Sequence, residues 1–120
     1  MEKDNFTITN KTKNNTPSVD FLSIKNAGLG QNYSLSLVFI GKKKSQELNL
    51  AYRGKNKPTN ILSFPLDKKN GEIFITPSVA KKDDFSISFL FIHGLMHLKG
   101  MTHSSTMEKA EAKLRKKFKI

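Results

Sequence analysis

Apolar and polar residues alternate along several short segments of the chain, and this pattern predicts β-strands. The clearest case is the segment 34–40, in which Leu35, Leu37 and Phe39 fall on one face. A strand with this pattern has one buried side and one exposed side. The predicted strands comprise residues 6–9, 34–40, 60–64 and 72–76.

Apolar residues at helical spacing predict two helices in the first half of the chain. The first spans residues 17–27 and ends at Gly28. The second spans residues 43–53, with Ser45 as its N-cap and Gly54 after its last residue. The side chains of the second helix expected to face inward are Leu48, Ala51 and Tyr52.

The second half of the chain contains the most strongly predicted helix, residues 85–99, which stops at Gly100. A capping box of Ser105 and Glu108 predicts a last helix that runs to about Lys117. Three or four strands mixed with helices indicate an α+β fold. We therefore expect a single domain over residues 1–120, with a mixed sheet of about four strands packed against helices.

The composition excludes several classes of protein. The chain has no cysteine, so it has neither disulfides nor a disulfide-linked partner, and any metal site must use His, Asp or Glu. Residues 1–5 lack the apolar stretch of a signal peptide, and no apolar run is long enough to span a membrane. These observations predict a cytoplasmic protein without a membrane partner.

The chain is strongly basic, with 21 Lys and Arg residues against 10 Asp and Glu residues and a net charge of +11. Such a surface attracts polyanions, among them nucleic acids. However, 19 of the basic residues are Lys and only Arg53 and Arg115 are Arg, in a chain that is also rich in Asn. A coding bias toward Lys and Asn would produce the same composition, so the charge alone leaves both interpretations open.

All three histidines lie within eleven residues, at His93, His97 and His103. On a helix, His93 and His97 are about 40° apart around the axis and project from one face. Gly100 lets the chain turn, so that His103 approaches from a second direction. Three imidazoles around one ion leave a position open for water, as in catalytic zinc sites. Zinc suits all-nitrogen ligands best, although nickel, iron or copper would accept the same set. Three unrelated histidines are the less favoured alternative.

The histidine spacing resembles the long zinc motif of metallopeptidases, with one difference. Gly94 stands where those enzymes carry the glutamate that acts as general base, which argues against peptide hydrolysis. Because a mid-helix glycine costs about 1 kcal/mol relative to alanine, another element is expected to pack closely against the helix there. The methionines of this region are interpreted as core or wall residues: Met96, Met101 and Met107.

Two long motifs resemble the YbeY family of bacterial rRNA-maturation endoribonucleases. The first is the segment 93–103, which reads HGLMHLKGMTH, and the second is the segment 48–65, which reads LNLAYRGKNKPTNILSFP. A third, shorter match is GEIFI at residues 71–75. The order of the motifs agrees over nearly the whole chain. This resemblance implies a zinc-dependent endoribonuclease with one Zn²⁺ per chain, held by His93 and His97 on a central helix and by His103 after it.

The chain departs from the family pattern in four places. Met101-Thr102 stands where the family usually has Tyr-Asp, and Glu72 replaces the usual Asp. The segment between Ile75 and His93 is shorter than the family norm, so the helix before the metal-bearing helix is expected to have only a turn or two. The last helix is more basic than in relatives. None of these changes removes a predicted metal ligand.

The resemblance also implies a substrate site. Arg53 matches an active-site arginine of the family, and its planar guanidinium suits bidentate binding of a phosphate. Lys55 and Lys57 would add phosphate contacts, and Asn60 and Ser63 are candidate hydrogen-bonding residues, although turn capping would also explain them. No aromatic residues are interleaved with these basic residues, so recognition is expected to rest on phosphate charge and shape.

The sequence therefore predicts a metal-dependent single-strand endoribonuclease that acts in ribosomal RNA maturation and ribosome quality control. Its expected partners are ribosomal RNA and the small ribosomal subunit. No general base can be named, because no carboxylate lies within the histidine motif. Two alternatives stay open: a zinc metallopeptidase-like hydrolase, and a non-catalytic RNA-binding assembly factor with a structural metal.

Overall fold

A computed structural model describes residues 5–101 and 104–120 of the chain. It has the predicted α+β fold with a four-stranded mixed sheet. The strands are β1 (Phe6–Asn10), β2 (Ser34–Phe39), β3 (Ile61–Asp67) and β4 (Asn70–Ile75). The helices are α1 (Phe21–Leu29), α2 (Lys42–Arg53), α3 (Pro77–Lys82), α4 (Ile87–Leu98) and α5 (Ser105–Phe118).

The strands lie in the order β1-β2-β4-β3. β1 and β4 both pair with β2 in parallel, whereas β3 pairs with β4 in antiparallel orientation. β3 is thus an edge strand, which explains why it tolerates Pro65, a residue without an amide proton for a second neighbour. The free edge of β3 borders the functional groove described below.

Helix α4 is the central helix of the fold. It contacts β3 and β4 of the sheet as well as α1 and α5. Seven of its residues are buried, because the helix is apolar on nearly all sides. The largest core side chains near it include Phe91, which packs edge-on against Phe21 of α1 at 5.0 Å between ring centroids. Met96 and Met107 are buried in this core and Met101 packs against it, as predicted.

The predicted boundaries of α1 were wrong at both ends. The helix begins at Phe21 because the Asp20 side chain accepts a hydrogen bond from the Ser23 amide at 3.2 Å. It continues through Gly28 and ends at Gly30, whose φ of 91° suits glycine. A Cβ at Gly28 would lie 3.1 Å from Leu95 Cδ1, so this glycine allows α1 to approach α4 closely.

The prediction for α2 was correct in extent but wrong in its inward face. Gly41 is the N-cap and makes no side-chain capping bond, whereas Ser45 lies inside the helix. Ala51 and Tyr52 are exposed and Leu48 is only half-buried. The buried residues are instead two polar ones, Ser45 and Asn49, which bind the following loop.

The remaining helices agree with the prediction within a few residues. The helix before α4 has only six residues, as expected from the short segment. Ser86 caps α4 by accepting from the Phe89 amide at 3.1 Å. The N-cap of α5 is Ser104 rather than Ser105, and its hydroxyl accepts from the Met107 amide at 3.3 Å. Over the described residues, no helix combines the length and apolarity needed to cross a lipid bilayer.

Candidate active site on helix α4

His93 and His97 lie one turn apart on the face of α4 that borders β3. Their Nε2 atoms are 3.1 Å apart, and the two rings meet edge to face with centroids 4.6 Å apart. Both side chains are half-buried. The i, i+4 spacing therefore brings two imidazole nitrogens to one point, as the sequence predicted.

Glu111 of α5 orients the first of these rings. His93 Nδ1 lies 3.1 Å from Glu111 Oε1, and the Glu111 side chain is only 9% exposed. A carboxylate accepts, so Nδ1 carries the proton and donates it, which leaves a lone pair on Nε2. Glu111 thus selects the His93 tautomer whose free nitrogen faces His97.

The histidine pair fits a tetrahedral metal ion. Zinc bound to two imidazoles at 2.0–2.1 Å would separate their nitrogens by about 3.3 Å, close to the spacing between the two Nε2 atoms. Histidine ligands of zinc commonly donate their other ring nitrogen to a carboxylate, as His93 does to Glu111. Within residues 5–101 and 104–120, no three His, Asp or Glu side chains form a group that could hold a metal. The third predicted ligand, His103, lies outside the described residues and stays a prediction.

Gly94 lets α4 approach the edge strand. A Cβ at this position would lie 3.0 Å from Ile61 Cδ1, Ile73 Cδ1 and Ser63 Oγ. This confirms the expected close packing at the mid-helix glycine. Because His93 and Gly94 are adjacent, the same close approach sets the distance between the histidines and β3.

A cavity of about 500 Å³ joins the histidines to the basic loop after α2. Arg53, Lys55, Asn60 and Ser63 line it together with His93 and His97, as do Thr59, Ile61 and Pro65. The structure thus brings the predicted catalytic arginine and three of the four predicted substrate-binding residues into one site. Among the described residues, no salt bridge joins the Arg53 guanidinium to a carboxylate.

Lys57 lies outside this cavity and lines a neighbouring one of about 470 Å³. The two cavities share Arg53 and Lys55 among their lining residues, so they adjoin, and together they are called the groove here. Lys42 and Lys82 also line the second part. Asn60 is held at the junction by a bond from its Nδ2 to Asp83 Oδ2 at 3.0 Å.

Two buried polar residues of α2 fix the loop that carries Lys55 and Lys57. Ser45 Oγ donates to the Thr59 carbonyl and accepts from the Thr59 amide, both at 2.8 Å. Asn49 Nδ2 donates to the Lys57 carbonyl at 2.8 Å. Gly54, with a φ of 70°, turns the chain out of the helix. Arg53 ends α2, and Lys55 follows it in a loop whose backbone is anchored to the same helix at Lys57 and Thr59.

Sequence analysis missed two elements of this site. Glu111 is 18 residues from His93 in the chain, and nothing local marks it except that it is an acidic residue in a basic helix. The anchoring role of Ser45 and Asn49 was missed because the helix that contains them was expected to bury its apolar residues instead. A polar pair at i and i+4 on the helix before a loop with two lysines was the available signal.

Fold and groove together define a class of α+β proteins with paired histidines on a central helix beside a cationic groove. A family model described as Endoribonuclease YbeY matches residues 2–119, and the chain belongs to this family.

Curated relatives agree with this assignment. A protein from Ehrlichia canis named Endoribonuclease YbeY is 39% identical over 104 residues, covering 72% of this chain and 68% of the relative. A protein of the same name from Onion yellows phytoplasma is 37% identical over 105 residues, covering 73% and 68%. One from Francisella philomiragia is 29% identical over 135 residues, covering 92% and 85%.

One solved structure has a similar fold. A protein from Thermotoga maritima, determined in solution, superposes with a TM-score of 0.60 over 91% of this chain and 85% of the other. The two sequences are 23% identical, so this likeness concerns the fold.

Proposed function

We propose that this protein is a zinc-dependent endoribonuclease that cleaves single-stranded regions of ribosomal RNA during ribosome maturation and quality control. The observation that carries the proposal is one cavity that contains both the paired histidines and the Arg53 guanidinium. Membership of a family named for endoribonuclease activity supports the same reaction. One Zn²⁺ per chain would be held by His93, His97 and the predicted third ligand His103.

When bound, zinc supplies a Lewis acid that activates water and polarises a phosphoryl oxygen. The role of the chain is to hold this ion in one position. His93 and His97 bring their Nε2 atoms to a common point, and Glu111 keeps the proton of His93 on Nδ1. Because the Glu111 carboxylate also carries negative charge, it makes the imidazole a better electron donor.

Arg53 and Lys55 would bind the phosphate that is cleaved. Charge on the phosphoryl oxygens increases in the transition state, so cations that are already in position stabilise that state more than the substrate. The anchored loop meets this requirement, because Ser45 and Asn49 hold its backbone without using the cationic side chains. The guanidinium contributes two parallel donors, which a lysine cannot do.

The cationic groove supports RNA over peptide as the substrate. Five basic residues line its two parts, and a phosphodiester chain would neutralise them. A peptide offers no comparable charge, and Gly94 replaces the general base of the peptidases. The small ribosomal subunit as partner and the cytoplasm as location follow from the same proposal, since the substrate occurs there.

A cleavage assay on a ribosomal RNA precursor tests the proposal. We expect wild-type protein to cut the RNA with zinc present and to stop when a chelator is added. His97→Ala, purified in parallel, should bind RNA without cutting it, and Lys13→Ala, an exposed cation outside the groove, should cut normally. RNA binding without cleavage by the wild type would instead support a structural metal in an assembly factor.

A further inference from the structure

A row of aromatic rings leads away from the histidine pair along the outside of α4. Phe85 and Phe89 are stacked with ring centroids 5.5 Å apart and an interplanar angle of 12°. Phe89 in turn stacks on His93 at 6.1 Å and 22°. Phe89 and His93 are four residues apart on α4 and so share one helical face, whereas Phe85 lies just before the N-cap Ser86. This row, Phe85 and Phe89, ends at a proposed metal ligand.

Arg115 of α5 completes the row. Its guanidinium carbon lies 5.2 Å from the centroid of the Phe89 ring, within the range of cation–π contacts. Arg115 follows Glu111 by one helical turn, so α5 supplies a carboxylate to His93 and a guanidinium to Phe89. The only two arginines of the chain, Arg53 and Arg115, are thus both connected to the histidine pair.

Phe89 packs partly against the core, but the two ends of this row are open to solvent. Phe85 is 45% exposed and Arg115 is also exposed, whereas Phe89 is half-buried. Unpaired RNA bases stack on aromatic rings and on guanidinium planes, which makes an exposed Phe–Arg surface suitable for them. The cavity that His93 lines carries the charge that a nucleic acid strand requires. Because the His93 ring also stacks on Phe89, the row adjoins this cavity through His93.

We propose that Phe85, Phe89 and Arg115 form a base-stacking subsite for an unpaired nucleotide that flanks the cleaved phosphate. The inference rests on the proposed function, because it takes RNA as the substrate at the histidine pair. The base would stack on the exposed Phe85 ring, and Arg115 would contact the base plane or the adjoining phosphate. The subsite favours single-stranded RNA, since a base held in a duplex cannot reach the rings.

Binding of oligoribonucleotides with one missing base tests this subsite. Affinity is measured by fluorescence anisotropy for a labelled single strand and for a series in which one position at a time is abasic, with RNA integrity checked afterwards. We expect one abasic position to weaken binding to the wild type by about fivefold or more. Phe85→Ala should weaken binding of the intact strand equally and should show no further loss with that abasic strand.

Matched variants separate stacking from general effects. Arg115→Lys keeps the charge but loses the planar group, so it should weaken the intact strand and reduce the abasic effect. Lys113→Ala removes a charge from the same helix, at a cavity shared with α1. This variant should lose as much affinity as the wild type when the base is missing. Leu66→Ala removes an exposed apolar side chain at the β3–β4 hairpin, and should bind like the wild type.

Some results would overturn the subsite. An abasic series that shows no sensitive position in the wild type, or an undiminished abasic effect in both Phe85→Ala and Arg115→Lys, would refute base stacking at the row. Thermal unfolding and zinc content are measured on each variant to exclude misfolding. The readout is affinity, so a protein that binds through the row but cuts nothing would contradict the proposed function alone. A protein that cuts RNA without base dependence would contradict the subsite alone.

Discussion

Glu111 provides the sharpest test of the site, because its carboxylate contacts Nδ1 of His93 and not Nε2, the proposed ligand atom. Its Oε1 lies 3.1 Å from His93 Nδ1, and the side chain is 9% exposed. Glu111→Ala removes the acceptor and leaves the imidazole free to rotate and to move its proton to Nε2. Glu111→Gln keeps an oxygen acceptor and removes the charge. The two variants therefore separate orientation from electrostatics.

The expected magnitude follows from the hydrogen bond. A bond to a charged group contributes about 1.5–3 kcal/mol net, and loss of such an outer partner typically lowers metal affinity by about 10- to 100-fold. These figures agree, since tenfold corresponds to about 1.4 kcal/mol. We expect zinc affinity to fall by about 10- to 100-fold in Glu111→Ala. In Glu111→Gln it should fall by less than about tenfold, because a neutral bond is about half as strong.

Zinc affinity is measured by competition with a chromophoric chelator, and urea unfolding of the metal-free protein is measured alongside. Glu108→Gln is the matched control, because Glu108 is an exposed carboxylate on the same helix, three residues before Glu111. It should bind zinc like the wild type. Equal zinc affinity in Glu111→Ala and the wild type, with both proteins folded, would refute the orienting role of Glu111 and weaken the assignment of His93 as a ligand.

Three further predictions concern the groove and the helix behind it. Arg53→Lys should keep the fold and the zinc content, yet lower single-turnover RNA cleavage more than tenfold, because a point charge cannot replace the bidentate group; Lys55→Arg should cleave normally. Gly94→Ala should lower the free energy of unfolding in urea by about 1 kcal/mol, since overpacking against β3 outweighs the gain in helix propensity; a more stable variant would contradict the close packing. The logarithm of the RNA-binding constant should fall linearly with the logarithm of the salt concentration, with a slope of about −0.7 per phosphate neutralised. Affinity that does not change with salt would mean that the lysines do not bind RNA.

The local pattern was sufficient to predict most elements of this fold. Alternating apolar residues identified β2, since a half-buried strand needs that period whatever its neighbours are. The segment 85–99 was predicted as the strongest helix and contains α4, and Gly94 within it predicted a close contact that the structure contains. The pairing of His93 with His97 also follows from local geometry, because four residues make about one helical turn. The motifs around Arg53 and the histidines were sufficient to indicate the family to which the chain belongs.

Tertiary structure decided whatever depends on residues far apart in the chain. The inward face of α2 is polar because it packs against the loop that carries Lys57, whose backbone needs hydrogen-bond partners. The hydropathy of the sequence does not show which backbone groups of the folded chain need such partners. The start of α1 depends on the hydrogen bond that Asp20 accepts from the Ser23 amide. The sequence alone does not single out Asp20, because several nearby polar residues could cap a helix equally well. Glu111 and Arg115 reach the histidine helix only because α5 packs against α4. Periodicity can predict the face of a helix, but the contact that this face makes depends on the packing of the whole chain.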